Sequence, residues 1–134
     1  MNLFKKHKLL IFIAFTSIIL ACRSKEERCF KARGAENEEK RVVEHFDKLE
    51  IKNMFTIILC NDSSFFVIIK SGKNLISQIK TTVKDNVLIC EDLNKCKWIR
   101  NLNKENIIEI HVPKLESIVS RNYVKFLSDG FKSE

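Results

Sequence analysis

From Arg41 onward the chain is broken into short apolar segments, each too brief for a stable helix and rich in β-branched or aromatic residues. This segmentation constrains the fold more than any other feature. Phe55, Ile57 and Leu59 alternate onto one face, as do Leu49 and Ile51, which is the period of a half-buried strand. Arg41–His45, Lys48–Lys52 and Phe55–Leu59 read as strands, followed by a turn cluster at Asn61–Ser64. Phe65–Ile69 is a continuous apolar run and predicts a strand covered on both faces. Ile79–Lys84 and Val87–Cys90 predict a hairpin across Asp85-Asn86, and Gly72–Gln78 is the one plausible helical turn. Ile107–Val112 is a strand stopped by Pro113, which cannot donate to a ladder. Ile118-Val119 and Tyr123–Leu127 follow, then a turn at Asp129-Gly130. The fold class expected is all-β, with short strands, and no exact internal repeat is visible.

The segment before this domain has a different character. Lys5, Lys6, His7 and Lys8 form a basic stretch, and Leu9–Leu20 an apolar run too short to span a bilayer comfortably. Ala21 then places a small residue before Cys22, in a pattern that resembles a bacterial lipobox. Residues 1–21 are expected to be a lipoprotein signal helix, removed when a diacylglycerol is joined to Cys22. Residues 22–40 are polar and charged and are expected to be a flexible tether, leaving 41–134 as one domain. Within the tether, Lys25, Glu26 and Glu27 resemble the surface-export signal of Bacteroidetes lipoproteins. The expected location is therefore the outer membrane, held by lipid and facing the cell surface, with the periplasmic face as the alternative.

Chemistry-bearing motifs are few. The formal net charge is +7, but Lys5, Lys6 and Lys8 of the leader supply part of it, so the balance does not argue for nucleic acid. His45 and His111 are isolated in strand-like contexts, and the sequence holds no HExxH, GxSxG or phosphate loop. No enzyme activity, cofactor or metal is expected. With Cys22 assigned to lipid, Cys29, Cys60, Cys90 and Cys96 allow three pairings or four free thiols. Cys90 closes the apolar segment Val87–Cys90, whereas Cys60 faces away from Phe55, Ile57 and Leu59.

The order Phe46-Asp47-Lys48-Leu49, Phe55-x-Ile57-x-Leu59, Asn74-Leu75-Ile76, Asp85-Asn86-Val87-Leu88 and Ile110-x-Val112-Pro113-x-Leu115 resembles the "putative auto-transporter adhesin, head GIN domain" family. Cys29-Phe30 and Asn94-Lys95-Cys96-x-Trp98-x-Arg100 resemble a lipoprotein branch of it. The resemblance implies a right-handed β-helix-like solenoid, of which this chain would hold the N-terminal portion. Glycine-rich rungs beyond the position of Phe126 are missing, as in a short form or a truncated frame. It also implies that Cys29 and Cys96 could be bridged, stapling the tether to the Trp98 loop. The function expected is an adhesin-like module for a protein or glycan ligand, with Trp98, Arg100 and Tyr123 as candidate binding surface. The alternative is an envelope assembly component that self-associates through its C-terminal strand edge.

Overall fold

The computed structural model describes residues 32–95 and 104–129. Nine strands form two sheets. They are β1 (Glu36–Val42), β2 (Lys48–Ile51), β3 (Thr56–Asn61), β4 (Phe66–Gly72), β5 (Ile79–Lys84), β6 (Val87–Asp92), β7 (Ile107–Val112), β8 (Ser117–Ser120) and β9 (Lys125–Asp129). Among the described residues one 3-10 turn, Ile76–Gln78, sits before β5. The all-β expectation therefore holds. Among the described residues no helix is long and apolar enough to cross a membrane.

The five-stranded sheet runs β1-β4-β7-β3-β9 and the four-stranded sheet β5-β6-β2-β8. The pairings carry a pattern that periodicity could not reveal. In one sheet β2 lies between β6 and β8, parallel to both. In the other, β3 lies between β7 and β9, again parallel to both. Each of the pairs β2–β3, β6–β7 and β8–β9 thus crosses from the four-stranded to the five-stranded sheet, and the pairs stack in the same order in both. We call each pair a tier. The register offset between the β2–β3 and β8–β9 tiers is 117 − 48 = 69 in one sheet and 125 − 56 = 69 in the other. Lys48–Leu59 and Ser117–Ser128 are therefore a structural repeat without matching sequence.

The inner faces of both sheets share one core. Leu49, Ile51, Ile79, Leu88 and Cys90 come from one sheet and Ile57, Val67, Ile69, Ile108, Ile110 and Val112 from the other, all at or near zero exposure. Alternation explains this directly, since these are every second residue of their strands. Phe46 and Phe55 close the core from the connections. Cys60 lies half-buried on the opposite face from Ile57 and Leu59, as its position after Leu59 implies.

The antiparallel strands lie on the β6–β7 side, where β4 pairs with β7, β1 with β4 and β5 with β6. The β5–β6 hairpin turns at Asp85 and Asn86, both at positive φ (51° and 60°), as expected for a two-residue turn. Asp and Asn tolerate that backbone region better than other side chains.

Three readings need correction. Strand β1 begins at Glu36, inside the stretch taken as tether, and ends at Val42, before the expected His45. Composition suggested that this segment could not bury enough surface to fold. Its order comes instead from main-chain pairing with β4 and from Arg41, whose Nη1 donates to Ile79 O (2.6 Å) and Nη2 to Ile76 O (3.2 Å). Phe65–Ile69 is not fully covered on both faces. Val67 and Ile69 are buried, whereas Phe66 and Ile68 are half-buried on the outer face. There Phe66 is sandwiched by the Lys40 ammonium at 3.7 Å and the stacked His111 ring at 4.0 Å. Asp129, read as opening a turn, is the last residue of β9.

Complete burial pushes the Cys90 thiol up to about 12 from 9.0. A neutral thiol favoured in the fold contributes stability that is fully present below the unfolded-state pKa. That contribution is lost as pH rises through 9 toward 12. Cys90 should therefore resist iodoacetamide at pH 8 in the native protein and react once guanidinium unfolds it. Mass spectrometry of the Cys90 peptide checks this, and equal labelling in both states would contradict the packing.

Candidate functional site

The tiers turn from one sheet to the other through corners, and the corners line a cavity of about 380 Å³. Lys52–Phe55 joins β2 to β3 and Arg121–Val124 joins β8 to β9. These corners are equal in length, so the shared offset aligns them residue by residue. Asn53 matches Asn122, Met54 matches Tyr123, and Phe55 matches Val124. The third connection, from β6 to β7, is longer, and its described flanks Asn94 and Lys104–Asn106 also line the cavity.

Main-chain bonds hold the corners together. Lys52 N donates to Cys90 O (3.1 Å), Arg121 N to Ile51 O (3.1 Å) and Thr56 N to Asn106 O (3.0 Å). The asparagines extend the ladder. Asp92 N donates to Asn53 Oδ1 at 2.8 Å, and Asn122 Nδ2 donates to Lys52 O. Each corner amide therefore bonds to the tier beside it.

The floor is a polar network. Asp92, buried at the end of β6, accepts from Asn94 N (2.9 Å), Asn94 Nδ2 (2.7 Å) and Asn106 Nδ2 (3.4 Å). Asn106 Oδ1 accepts from Ser71 Oγ (2.7 Å) and Arg33 Nη1 (3.1 Å). Arg33 also donates to Lys104 O (3.1 Å) and Glu105 O (3.0 Å) and grips both oxygens of Glu36. The hydrogen bond from Arg33, supported by Lys104, holds the Glu36 carboxyl below its ordinary value. Thr56 Oγ1 donates to Glu105. Such saturation is what low-dielectric burial requires of polar groups.

The rim is different. Tyr123 is 79% exposed and Met54 67% exposed. Two large side chains of mainly apolar surface thus stand at the cavity mouth, outside the core.

Of the sequence-predicted site residues, Tyr123 lies at this rim. Trp98, Arg100 and Cys96 lie outside the described residues, as do Cys22, Lys25, Glu26, Glu27 and Cys29. The connection carrying Cys96, Trp98 and Arg100 nevertheless has both its described flanks on the cavity. His45 and His111 are elsewhere. His45 packs on Phe65 at 4.9 Å, and His111 Nδ1 faces Asp62 Oδ2 at 3.5 Å on the outer face of the five-stranded sheet. The Asp62 carboxyl is lowered chiefly by the Ser64 amide and further by His111. Sequence reasoning missed Asn53, Asn122, Arg33 and Asp92. The available signal was the basic–Asn dipeptide, Lys52-Asn53 and Arg121-Asn122, occurring between two strands each time.

A family model described as "putative auto-transporter adhesin, head GIN domain" matches residues 45–134. Solved structures with the same fold include a putative adhesin from Bacteroides fragilis (TM-score 0.63, 19% identity, 72% of this chain and 44% of that one). Another is a putative adhesin from Parabacteroides merdae (TM-score 0.62, 13% identity, 73% and 40%). A third, from Parabacteroides distasonis, is described as a putative lipid binding protein (TM-score 0.59, 13% identity, 72% and 42%). This chain thus spans less than half the length of the structures it matches. None of the curated proteins matches it.

The Arg33 clamp offers a test. Gly72 lies under it, and a Cβ there would come 2.2 Å from both Arg33 O and Arg33 Cγ. Main chain cannot yield as a side-chain tip can, so Gly72→Ala should displace residues 32–36 and cost about 1–3 kcal/mol. Thermal denaturation should show a lower Tm, and trypsin should cut faster after Arg33. An unchanged melt and cleavage rate would show that the clamp does not hold this segment.

Proposed function

We propose that this chain, which belongs to the "putative auto-transporter adhesin, head GIN domain" family, is a lipid-anchored binding module of the cell surface that takes its ligand at the corner cavity. The observation that carries this reading is Tyr123, an aromatic ring left almost wholly in water above a floor whose polar groups are already satisfied. Burying such a ring gains more than burying most other side chains, and aromatic anchors dominate binding energetics. The family is an adhesin-type domain and not an enzyme family. The leader, Cys22 and the Lys25-Glu26-Glu27 run support outer-membrane anchoring and export. The stacked parallel tiers support a β-helix-like solenoid, in which each tier buries its apolar face against the next. A Cys29–Cys96 bridge would tie the tether to the connection that flanks the cavity.

Anchoring and display are testable together. Labelled palmitate fed to expressing cells should enter the wild type and not Cys22→Ala, and protease added to intact cells should remove the wild-type protein. Tyr123→Ala should keep both properties and lower adherence of the cells to mucin- or fibronectin-coated wells. Equal label in Cys22→Ala, full protection from protease, or unchanged adherence would each remove the corresponding part of the reading.

A second reading rests on the other end of the stack. Among the described residues β8 and β9 are the outer members of their sheets, and Ile118, Val119, Phe126 and Leu127 are all more than 40% exposed. β8 carries no charge and β9 only Lys125 and Asp129 at its two ends, so little guards these edges against pairing with a second copy. The chain without its leader, carrying Cys22→Ala, should gain mass with concentration in light scattering. Val119→Lys with Leu127→Lys, both on outward-facing positions, should return it to monomer. A monomer at every concentration would refute edge pairing.

A further inference from the structure

The hydrogen bonds that build the corners also fix what they leave unused. Asn53 must present Oδ1 to the Asp92 amide, so its amide orientation is set and, among the described residues, Nδ2 has no partner. Asn122 must present Nδ2 to the Lys52 carbonyl, which leaves Oδ1 over among the described residues. The two residues occupy matching positions on adjacent tiers, and neighbouring strands lie roughly 4.8 Å apart. The cavity wall therefore offers one amide donor beside one amide acceptor, both directionally fixed. One residue further along the corners, Met54 and Tyr123 form a second matched pair, exposed and apolar. Lys125, on the same tier as Tyr123, lines the cavity with no ion pair among the described residues, whereas Arg33 and Lys104 are both engaged by Glu36.

Several ligand classes fit this chemistry poorly. Asp92 and Glu105 line the same cavity, so a polyphosphate or nucleic-acid strand would meet carboxylates, with Lys125 the one uncommitted lysine among the described lining residues. An acyl chain would lie against the polar Asp92–Asn106 network, which gives it no apolar surface to bury against. An extended peptide has no main-chain ladder to join here, because Lys52 N, Thr56 N and Lys125 N already donate within the fold. A sugar ring meets each element: an apolar C–H face for an aromatic side chain, and neighbouring hydroxyls that each donate and accept. The volume, about 380 Å³, is near the lower end of the roughly 300–1,000 Å³ typical of small-molecule sites and suits a short oligosaccharide.

We propose that the corner cavity is a saccharide site, in which Tyr123 stacks on the apolar face of a pyranose while Asn53 Nδ2 and Asn122 Oδ1 engage two of its neighbouring hydroxyls. This rests on the reading that the cavity is where the module takes its ligand. Met54 flanks the stacked ring, and Lys125 reaches a carboxylate where the sugar is a uronic acid. The polar floor stays hydrogen-bonded within the protein and sets the depth to which the ring descends.

The test uses the full-length lipoprotein in a zwitterionic, sugar-free detergent. It is applied to an array of immobilised neutral and uronate-containing oligosaccharides, and separately to phosphatidylcholine–phosphatidylglycerol vesicles. Retention on at least one array saccharide is expected. It should fall about tenfold or more in Tyr123→Ala and change by no more than about threefold in Tyr123→Phe, since the ring and not the hydroxyl is used. Asn53→Asp keeps the acceptor for the Asp92 amide and removes the free donor, and should also lose about tenfold with an unchanged melting curve. No retained saccharide, or retention indifferent to Tyr123→Ala and Asn53→Asp, overturns the proposal. So does Tyr123-dependent retention by vesicles alone, which assigns a lipid instead. If no saccharide binds but Tyr123→Ala still lowers cell adherence to fibronectin, the cavity remains the ligand site and the ligand class is wrong. If adherence is also unmoved, the cavity reading falls with it.

Discussion

The parallel pairing of β2 and β3 with a neighbour on each side is the constraint from which the rest follows. A one-residue slip of β2 against β6 would turn Leu49 and Ile51 from the core to the outer face, at about 1.5–3 kcal/mol for each side chain exposed. Because β2 runs through a short corner into β3, a slip in one sheet would also have to be absorbed in the other. The equal offset of 69 in both sheets is the outcome. Register in the core thereby dictates which corner residues stand side by side, and the cavity wall inherits its order from the packing behind it.

The antiparallel side is held differently. Strand β1 buries no side chain fully, so apolar transfer contributes little to it. Its ladder with β4 satisfies main-chain groups along its length, and Arg41 adds bonds to the carbonyls of Ile76 in the 3-10 turn and Ile79 at the start of β5. Charge-assisted hydrogen bonds of this kind are each worth about 1.5–3 kcal/mol, comparable with burying one aliphatic side chain. Pairs across the outer surface, such as Lys52–Glu91 at 3.9 Å and Glu50–Arg121 at 3.2 Å, are more exposed and contribute less. The N-terminal segment is thus ordered by bonds to carbonyls, through Arg33 at one end and Arg41 at the other, and not by hydrophobic burial.

That distinction separates what could be read in the sequence from what could not. Strand positions in the core were legible because alternation is local: Phe55, Ile57 and Leu59 face inward as their spacing requires, and Asp85-Asn86 turns the hairpin. Strand β1 was illegible because hydropathy registers burial and not pairing. The tiers were hidden for a related reason. Lys48–Leu59 and Ser117–Ser128 share register but few side chains, and the Leu93–Asn106 connection interrupts the middle repeat. Tyr123 could be singled out as an aromatic beside a short strand. Asn53 and Asn122 could not, since a lone asparagine between strands reads as an ordinary turn residue until the register shows two of them adjacent.

Side-chain groups with bonding capacity to spare concentrate at the corners because the strands have little to spare. Inward side chains are committed to the core, and outward ones such as Lys70 with Glu109, or Phe66 between Lys40 and His111, are committed to their neighbours. At a corner the chain leaves one ladder before it joins the next, so side chains there can be fixed by a single bond and still present a second group. Asn53 and Asn122 each do so. Met54 and Tyr123, largely exposed and without a side-chain hydrogen bond among the described residues, can vary without disturbing the register beneath them. A fold of this kind can therefore change the surface it presents by substitution at matched corner positions while the sheets stay as they are.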